Sequence, residues 1–209
     1  MFITFEGIDF CGKSTQVNLL KKYLISKNKK VKIIREPGGT AISELIRKIL
    51  LDKSHKKMSV ETEILLFSAA RAQLVKEKIK SYLSIGTFVI SDRFHDSTTA
   101  YQGFGRGIPL ETVENINNLA IGENIPNLTF FLDISVEEAE KRKNMKEKSK
   151  LDRIELGDKI FLEKAHSGYL YLSDKEKRFI TVNGCLSKKE IHQQIIEEIE
   201  LYENHENVK

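Results

Sequence analysis

The sequence predicts an α/β protein built on a doubly wound parallel sheet with helices on both faces. Three observations carry that expectation. Short apolar runs rich in β-branched and aromatic residues alternate with longer segments of helical periodicity along the chain. A glycine-containing turn joins the first such run to the first helical segment. And 209 residues, 40% hydrophobic and 31% charged, are the balance of one soluble domain spanning 1–209.

The elements follow in order. Strands are expected at 2–6, 31–35, 87–91, 128–134 and 178–182, each apolar enough to be buried on both faces of a five-stranded parallel sheet. Helices are expected near 13–27, 40–51, 60–83, 109–121, 135–145, 157–173 and 187–203. The last places Ile191, Ile195, Ile196 and Ile199 on one face, and Ser187 with Glu190 has the spacing of a capping box at its start. No apolar stretch approaches the ~18 residues of a membrane span. Met1 runs straight into the first strand, leaving no room for a signal peptide. Cys11 and Cys185 are the only cysteines and form no disulfide or metal spacing. The expected location is therefore cytoplasmic, with no membrane partner.

The turn after the first strand reads Gly7-Ile8-Asp9-Phe10-Cys11-Gly12-Lys13-Ser14, the pattern G-x-x-x-x-G-K-[ST] between a buried strand and an amphipathic helix. Glycines at its ends let the backbone curl so that successive N–H groups point inward at phosphate oxygens. The helix that follows adds about half a positive charge at its N-terminus. Lys13 is expected to reach the β- and γ-phosphates and the Ser14 hydroxyl to ligate Mg²⁺. The nucleotide cradle is thus expected to comprise Gly7, Ile8, Asp9, Phe10, Cys11, Gly12, Lys13, Ser14 and Thr15.

A phosphate loop does not state what becomes of the triphosphate. A small-molecule kinase, a GTPase-type switch and a nucleic-acid motor all use one. Asn28-Lys29-Lys30-Val31 lacks the aspartate of a guanine-specifying Asn-Lys-x-Asp, and the aromatic-studded basic stripe of a nucleic-acid groove is missing. A kinase for a phosphorylated acceptor needs a second arginine cluster, which the middle of the chain supplies. Arg93 directly follows a strand whose C-terminal end is where ligands bind in open α/β sheets, and its guanidinium can grip a phosphate bidentately. Asp92, at the same strand end, holds Mg²⁺ through water or fixes Arg93. Phe67 and Arg71, four apart, share a helix face. Spacing alone also permits a core phenylalanine beside an exposed arginine.

Phe5-Glu6-Gly7-Ile8-Asp9, Arg35-Glu36-Pro37-Gly38-Gly39-Thr40, Asp92-Arg93-Phe94, Asp96-Ser97-Thr98-Thr99-Ala100-Tyr101-Gln102-Gly103 and Leu151-Asp152-Arg153-Ile154-Glu155 together resemble the thymidylate kinase family. The resemblance runs in family order from Met1 to the last helix. It implies a nucleoside-monophosphate-kinase fold and ATP- and Mg²⁺-dependent phosphorylation of dTMP to dTDP, with a homodimer as the assembly. It also implies roles. The Phe67 ring stacks on thymine, Arg71 bonds its O4, and Thr98 and Gln102 contact the base. Tyr101 crowds the 2′ position of the sugar and Asp9 takes the 3′-hydroxyl. Arg35 and Arg47 complete the phosphate side, Glu36 lies near the site, and the Asn183-Gly184 loop with Arg142 contacts adenine. A kinase for another nucleoside monophosphate and a non-catalytic nucleotide sensor are the alternatives.

Residues 141–153 hold seven basic and two acidic side chains, a local +5 that leaves the rest of the chain at −1 against the overall +4. Basicity concentrated this way is expected in a mobile lid over two nucleotides and argues against a nucleic-acid partner. The phosphate loop itself has no basic residue at Ile8, Asp9, Phe10 or Cys11, so the resemblance is to the mainly bacterial arrangement with its catalytic cation in the lid. Arg142 is the favoured candidate and Lys146 the next. Asp152 and Glu155 help place Mg²⁺ or an arginine, or form a charge pair at a helix start.

Overall fold

The computed structural model describes residues 1–145 and 151–207. Five strands, β1 (Phe2–Glu6), β2 (Val31–Arg35), β3 (Phe88–Asp92), β4 (Leu128–Asp133) and β5 (Phe179–Asn183), form one sheet in the order β2-β3-β1-β4-β5. Every pairing is parallel. The three central strands are buried almost throughout, whereas Lys32, Arg35 and Thr181 appear on the two edges. A strand covered by helices on both faces must be apolar on both, which is why FITFE and LTFFLD show no alternation. Each fully buried Phe or Ile here contributes about 1.5–3 kcal/mol relative to exposure.

The helices are α1 (Lys13–Ser26), α2 (Ala41–Leu51), α3 (Val60–Leu74), α4 (Lys80–Ser84), α5 (His95–Thr98), α6 (Leu110–Ile121), α7 (Val136–Asn144), α8 (Lys159–Lys175) and α9 (Lys188–Asn207). Side chains of Thr40, Ser59, Ser135 and Asp158 each accept a backbone N–H at the start of a helix. The capping box at α9 is present in both directions: Ser187 N donates to Glu190 Oε2 at 3.0 Å, and Glu190 N to Ser187 Oγ at 3.3 Å.

The expected strands and helices sit close to where the sequence places them, with three differences. The single helix expected at 60–83 runs as α3, a wide i→i+5 stretch at Val75–Ile79 and then α4. The third and fifth strands lie one residue later than expected, which makes Asp92 a strand residue paired with Phe5 and Arg35. Residues 95–105, not expected as helix, form α5 and a wide i→i+5 turn at Thr99–Gly105. Ser97, Thr98, Thr99 and two glycines have poor intrinsic helix propensity, so tertiary packing decides this segment. α8 lies against it so closely that a Cβ on Gly168 would stand 2.8 Å from Ala100 Cα and 3.0 Å from the Phe104 ring.

Among the described residues no helix is long and apolar enough to cross a membrane. The connection leaving β1 runs to β2 on one side of the sheet, and the one leaving the adjacent β3 runs to β4 on the other, so the winding reverses between β1 and β3. The crevice outside the carboxyl ends of β1 and β3 is therefore the place for a ligand.

Candidate active site

The phosphate loop leaves β1 through Gly7 at φ 133° and enters α1 through Gly12 at φ 106°. A Cβ on Gly7 would lie 2.7 Å from Leu132 O and 2.8 Å from Cys11 Sγ, so the loop tolerates no side chain there. Ile8 is fully buried and anchors the loop to the core, while Phe10 adopts φ 68° at its crest. Lys13 Nζ donates to the carbonyls of Gly7 and Ile8 at 3.0 Å each and approaches Cys11 Sγ at 3.4 Å. Ser14 Oγ donates to Asp92 Oδ2 at 2.5 Å, which joins the first turn of α1 to the end of β3. Thr15 N completes the turn by donating to Gly12 O at 3.1 Å.

Arg93 occupies the left-handed region at φ 71°, an unfavourable conformation for a non-glycine residue that persists only where its surroundings hold it. Its guanidinium is held from several elements. Nη2 donates to Asp9 Oδ1 at 2.6 Å and to Tyr101 OH at 3.2 Å. Nη1 donates to Gly7 O at 3.0 Å, Ser97 Oγ at 3.1 Å and Tyr169 OH at 3.0 Å. Burial opposes the charge, but Tyr101, Asp9, Tyr169 and Glu6 around it keep Arg93 well above the ordinary arginine value. Asp9 is likewise held below the usual carboxylate range: burial pushes it up, and Arg93, Lys13 and the Tyr101 hydroxyl more than reverse that.

Behind Arg93 stands a polar cluster inside the core. Glu6, the one charged residue of β1, accepts Phe94 N at 2.7 Å on Oε1, and Ser97 Oγ at 2.6 Å and Tyr169 OH at 2.9 Å on Oε2. Burial and the nearby Asp96 raise its carboxyl to about 7, against the opposing effects of Arg93, Ser97 and the Phe94 amide.

On the other wall Arg71 is only 2% exposed. Its Nε donates to Glu36 Oε2 at 2.7 Å, Nη1 to Thr98 Oγ1 at 2.9 Å, and Nη2 to Phe94 O at 3.2 Å. Glu36 Oε1 is buried without a partner, and burial raises the Glu36 carboxyl despite Arg71 beside it. Gln102 Nε2 donates to Glu63 Oε1 at 2.9 Å. Arg47 Nη1 donates to Pro37 O at 2.7 Å, and Arg35 pairs with Glu44 at 3.0 Å.

The phosphate loop, Arg93 and the Arg71 wall open onto one cleft of about 480 Å³, lined on the phosphate side by Asp9, Phe10, Gly12, Lys13, Ser14, Thr15, Asp92 and Arg93. Arg35, Glu36, Arg47, Phe67, Arg71, Thr98, Tyr101 and Gln102 line its other side. Gly7, Ile8 and Cys11 shape the cradle from beneath. A second pocket adjoins it, between Gly12, Thr15 and Gln16 on one side and Gly184, Leu186 and Lys188 on the other, and Arg142 lines both.

Arg142 spans from α7 to the loops around it. Nε donates to Glu138 Oε1 at 2.7 Å, Nη1 to Phe10 O at 3.3 Å, and Nη2 to Gly184 O at 3.0 Å. Lys146 lies outside the described residues, as does the centre of the expected lid. Arg153, counted with the lid by sequence, packs inward: Nη1 donates to Glu63 Oε2 at 2.6 Å and Nε to Leu50 O at 2.7 Å. Asp152 and Glu155 close a tight turn on each other, Asp152 Oδ1 accepting Glu155 N and Glu155 Oε2 accepting Asp152 N, each at 2.9 Å, and both line the cleft.

Sequence reasoning missed Glu63, Ser97 and Tyr169 as parts of this site. A charged residue within an apolar helix face was the one local signal for Glu63; Tyr169, on α8, had none.

Comparison with known proteins agrees with the geometry. Residues 5–195 match the family model for thymidylate kinase. The thymidylate kinase of Thermosipho africanus is 50% identical over 187 residues, which cover 90% of this chain and 91% of that protein. That of Kosmotoga olearia is 44% identical over 199 residues, 95% of this chain and 94% of the other. The crystal structure of thymidylate kinase from Ehrlichia chaffeensis superposes with a TM-score of 0.76 at 32% identity, covering 95% of this chain and 98% of that one. With the phosphate loop, the Asp92-Arg93 element and the Phe67–Arg71 wall in one cleft, the chain belongs to the thymidylate kinase family.

Proposed function

We propose that this protein transfers the γ-phosphoryl group of ATP to the phosphate of dTMP, giving dTDP and ADP. One observation carries the reading: the phosphate cradle and the Phe67–Arg71–Thr98 wall open onto a single cleft, with Arg93 and Asp9 between them. Two nucleotides laid end to end there would meet at Lys13 and Arg93.

The chemistry is positioning and electrostatics. Lys13 exchanges its loop carbonyls for the β- and γ-phosphates. Arg93 takes the acceptor phosphate, and Asp9 and Tyr101 orient it and face the sugar. The acceptor's second pKa lies near ~6, so it attacks as a near-dianion and needs no general base. Phe67 stacks on thymine while Arg71, braced by Glu36, and Thr98 read its polar edge. Gln102, turned by Glu63, completes the base wall. Arg142 guards the ATP side of the cleft from its anchorage on Phe10, Cys11 and Gly184, and with Lys146 it is the candidate cation for the transferred group.

Ser14 Oγ and the Asp92 carboxylate form an all-oxygen pair 2.5 Å apart, which suits Mg²⁺, a cation that keeps several waters and takes few protein ligands beside phosphates. Bound there, directly or through water, Mg²⁺ would neutralise charge on the β- and γ-phosphates. The assembly is a homodimer. Ile42, Leu45 and Ile49 form one exposed stripe on α2, and Leu65 is exposed on the neighbouring α3, a face suited to a second copy.

The test is ADP release across a panel of nucleoside monophosphates with ATP and Mg²⁺. Turnover is expected to be greatest with dTMP. Equal turnover of dTMP and dAMP would overturn the thymine wall, and no ADP above background would leave a nucleotide sensor.

A further inference from the structure

The cluster behind Arg93 has more oxygen contacts than an ionised carboxylate can fill with protons. Ser97 Oγ and Tyr169 OH each lie within hydrogen-bond distance of Glu6 Oε2, at 2.6 and 2.9 Å, and 2.8 Å from each other. Both hydroxyls also accept from Arg93 Nη1. If Glu6 is charged, two hydroxyl protons serve three oxygen–oxygen contacts, and one close contact has no hydrogen in it. With a proton on Oε2 all three are filled: Glu6 donates to Ser97, Ser97 to Tyr169, and Tyr169 back to Glu6. Oε1 meanwhile accepts the Phe94 amide in either state.

We propose that Glu6 is a positioning residue that works in its neutral form, closing a ring with Ser97 and Tyr169 that fixes the Arg93 guanidinium at the acceptor phosphate without neutralising its charge. This rests on the reading that Arg93 binds that phosphate. An ionised Glu6 would add a second carboxylate to the one Asp9 already places on Arg93, and would weaken the field the acceptor meets. The charged groups around Glu6 are Arg93 at the end of β3, Asp96 on α5 and Arg178 ahead of β5. Tyr169 faces it from α8, with its phenol raised well above the ordinary value by burial and by Glu6. Burial and Asp96 favour the proton, Arg93 opposes it, and the balance places the titration near neutrality.

The experiment compares wild type with Glu6→Gln, Glu6→Ala, Tyr169→Phe and Arg93→Lys, measuring kcat and the KM values for dTMP and ATP between pH 6 and 8.5. A Gln amide keeps the side chain neutral: its oxygen accepts Phe94 N and its NH₂ donates to Ser97, though unlike the protonated Oε2 it cannot also accept the Tyr169 hydroxyl. In wild type the KM for dTMP is expected to climb above pH 7 as Glu6 ionises, and in Glu6→Gln to stay level. The ionisation of dTMP itself is common to both. Glu6→Ala is expected to raise that KM by about tenfold, equivalent to ~1.4 kcal/mol, with Glu6→Gln recovering most of the loss and the KM for ATP little changed. Tyr169→Phe should raise the dTMP KM in the same selective way. The proposal is overturned if Glu6→Gln keeps the wild-type climb, falls as far as Glu6→Ala, or shifts both KM values together. If Arg93→Lys leaves the dTMP KM unchanged, the reading of Arg93 fails instead; if it raises it while Glu6→Gln behaves as wild type, only the role of Glu6 falls.

Discussion

Lys13 and Arg71 are both buried cations in this cleft, and their surroundings predict different losses on substitution. Lys13 is bonded to two loop carbonyls at 3.0 Å and makes no direct ion pair, and Asp9, whose charge it also favours, keeps its pair with Arg93 at 2.6 Å when Lys13 is removed. Lys13→Met should fold normally and lose roughly 10²–10³ in kcat, the scale of one preorganised electrostatic contact; steady-state assays alongside a thermal melt check this. Arg71 instead pairs with Glu36 at 2.7 Å deep in the wall. Arg71→Lys keeps the charge but loses the planar fork that reaches Glu36, Thr98 and Phe94 at once. The expected result is a KM for dTMP raised by about tenfold, ~1.4 kcal/mol, with ATP affinity nearly unchanged. Equal effects on both substrates would make Arg71 purely structural.

At the scale of elements, the cleft is held together by polar ties between segments far apart in sequence. Glu63 on α3 is the clearest. Only 1% exposed, it gathers Gln102 from the wide turn after α5, Arg106 just beyond that turn, and Arg153 from the segment before α8. Burial opposes its ionisation, but the hydrogen bonds from Arg106 and Gln102, the Arg106 charge and the bond from Arg153 hold its carboxyl below the usual range. Glu63→Ala would leave two arginines without a counter-charge, and the expected destabilisation is about 3–5 kcal/mol, read from urea midpoints. Glu63→Gln should cost less and release Gln102, showing as a raised KM for dTMP.

At the scale of the molecule, two further expectations follow. His95 is buried beside Asp96 and Arg178. Its Nε2 lies 3.3 Å from Arg178 Nη2 and 3.5 Å from Asp96 Oδ1. Burial lowers its pKa from 6.5 to about 4, with Arg178 and Arg71 adding to burial and Asp96 opposing it. A folded-state value below the unfolded one contributes stability that is fully present above pH 6.5 and lost as the pH falls toward 4. Over that range the loss is roughly 3 kcal/mol. His95→Gln should therefore lose less stability than wild type between pH 7 and 4.5, measured by urea unfolding at both. The second concerns assembly. Leu45, 61% exposed on α2, lies at the middle of the apolar stripe, and Leu45→Glu is expected to shift a dimer toward monomer in sedimentation or light scattering. A wild-type protein that is monomeric at all concentrations would remove the dimer reading.

The sheet, the helices and the phosphate cradle were legible in the sequence because they rest on local rules: buried parallel strands are uniformly apolar, helices repeat every 3.6 residues, and a phosphate loop is a contiguous run of backbone. Gly7 to Thr15, Asp92 and Arg93 could be named for that reason. Phe67, Arg71, Thr98 and Gln102 could be named only through resemblance, since their spacing fits a plain helix equally well. The tertiary structure decided what no local rule reaches. It turned residues 95–105 into helix against their propensity, drew Arg153 inward onto Glu63, and set Tyr169 on α8 against Glu6 at the end of β1, 163 residues away. Local pattern reports which face a residue shows to its own element. The partner of a buried charge is chosen by how whole elements pack, because only packing brings distant groups within the 3 Å or so at which a hydrogen bond forms.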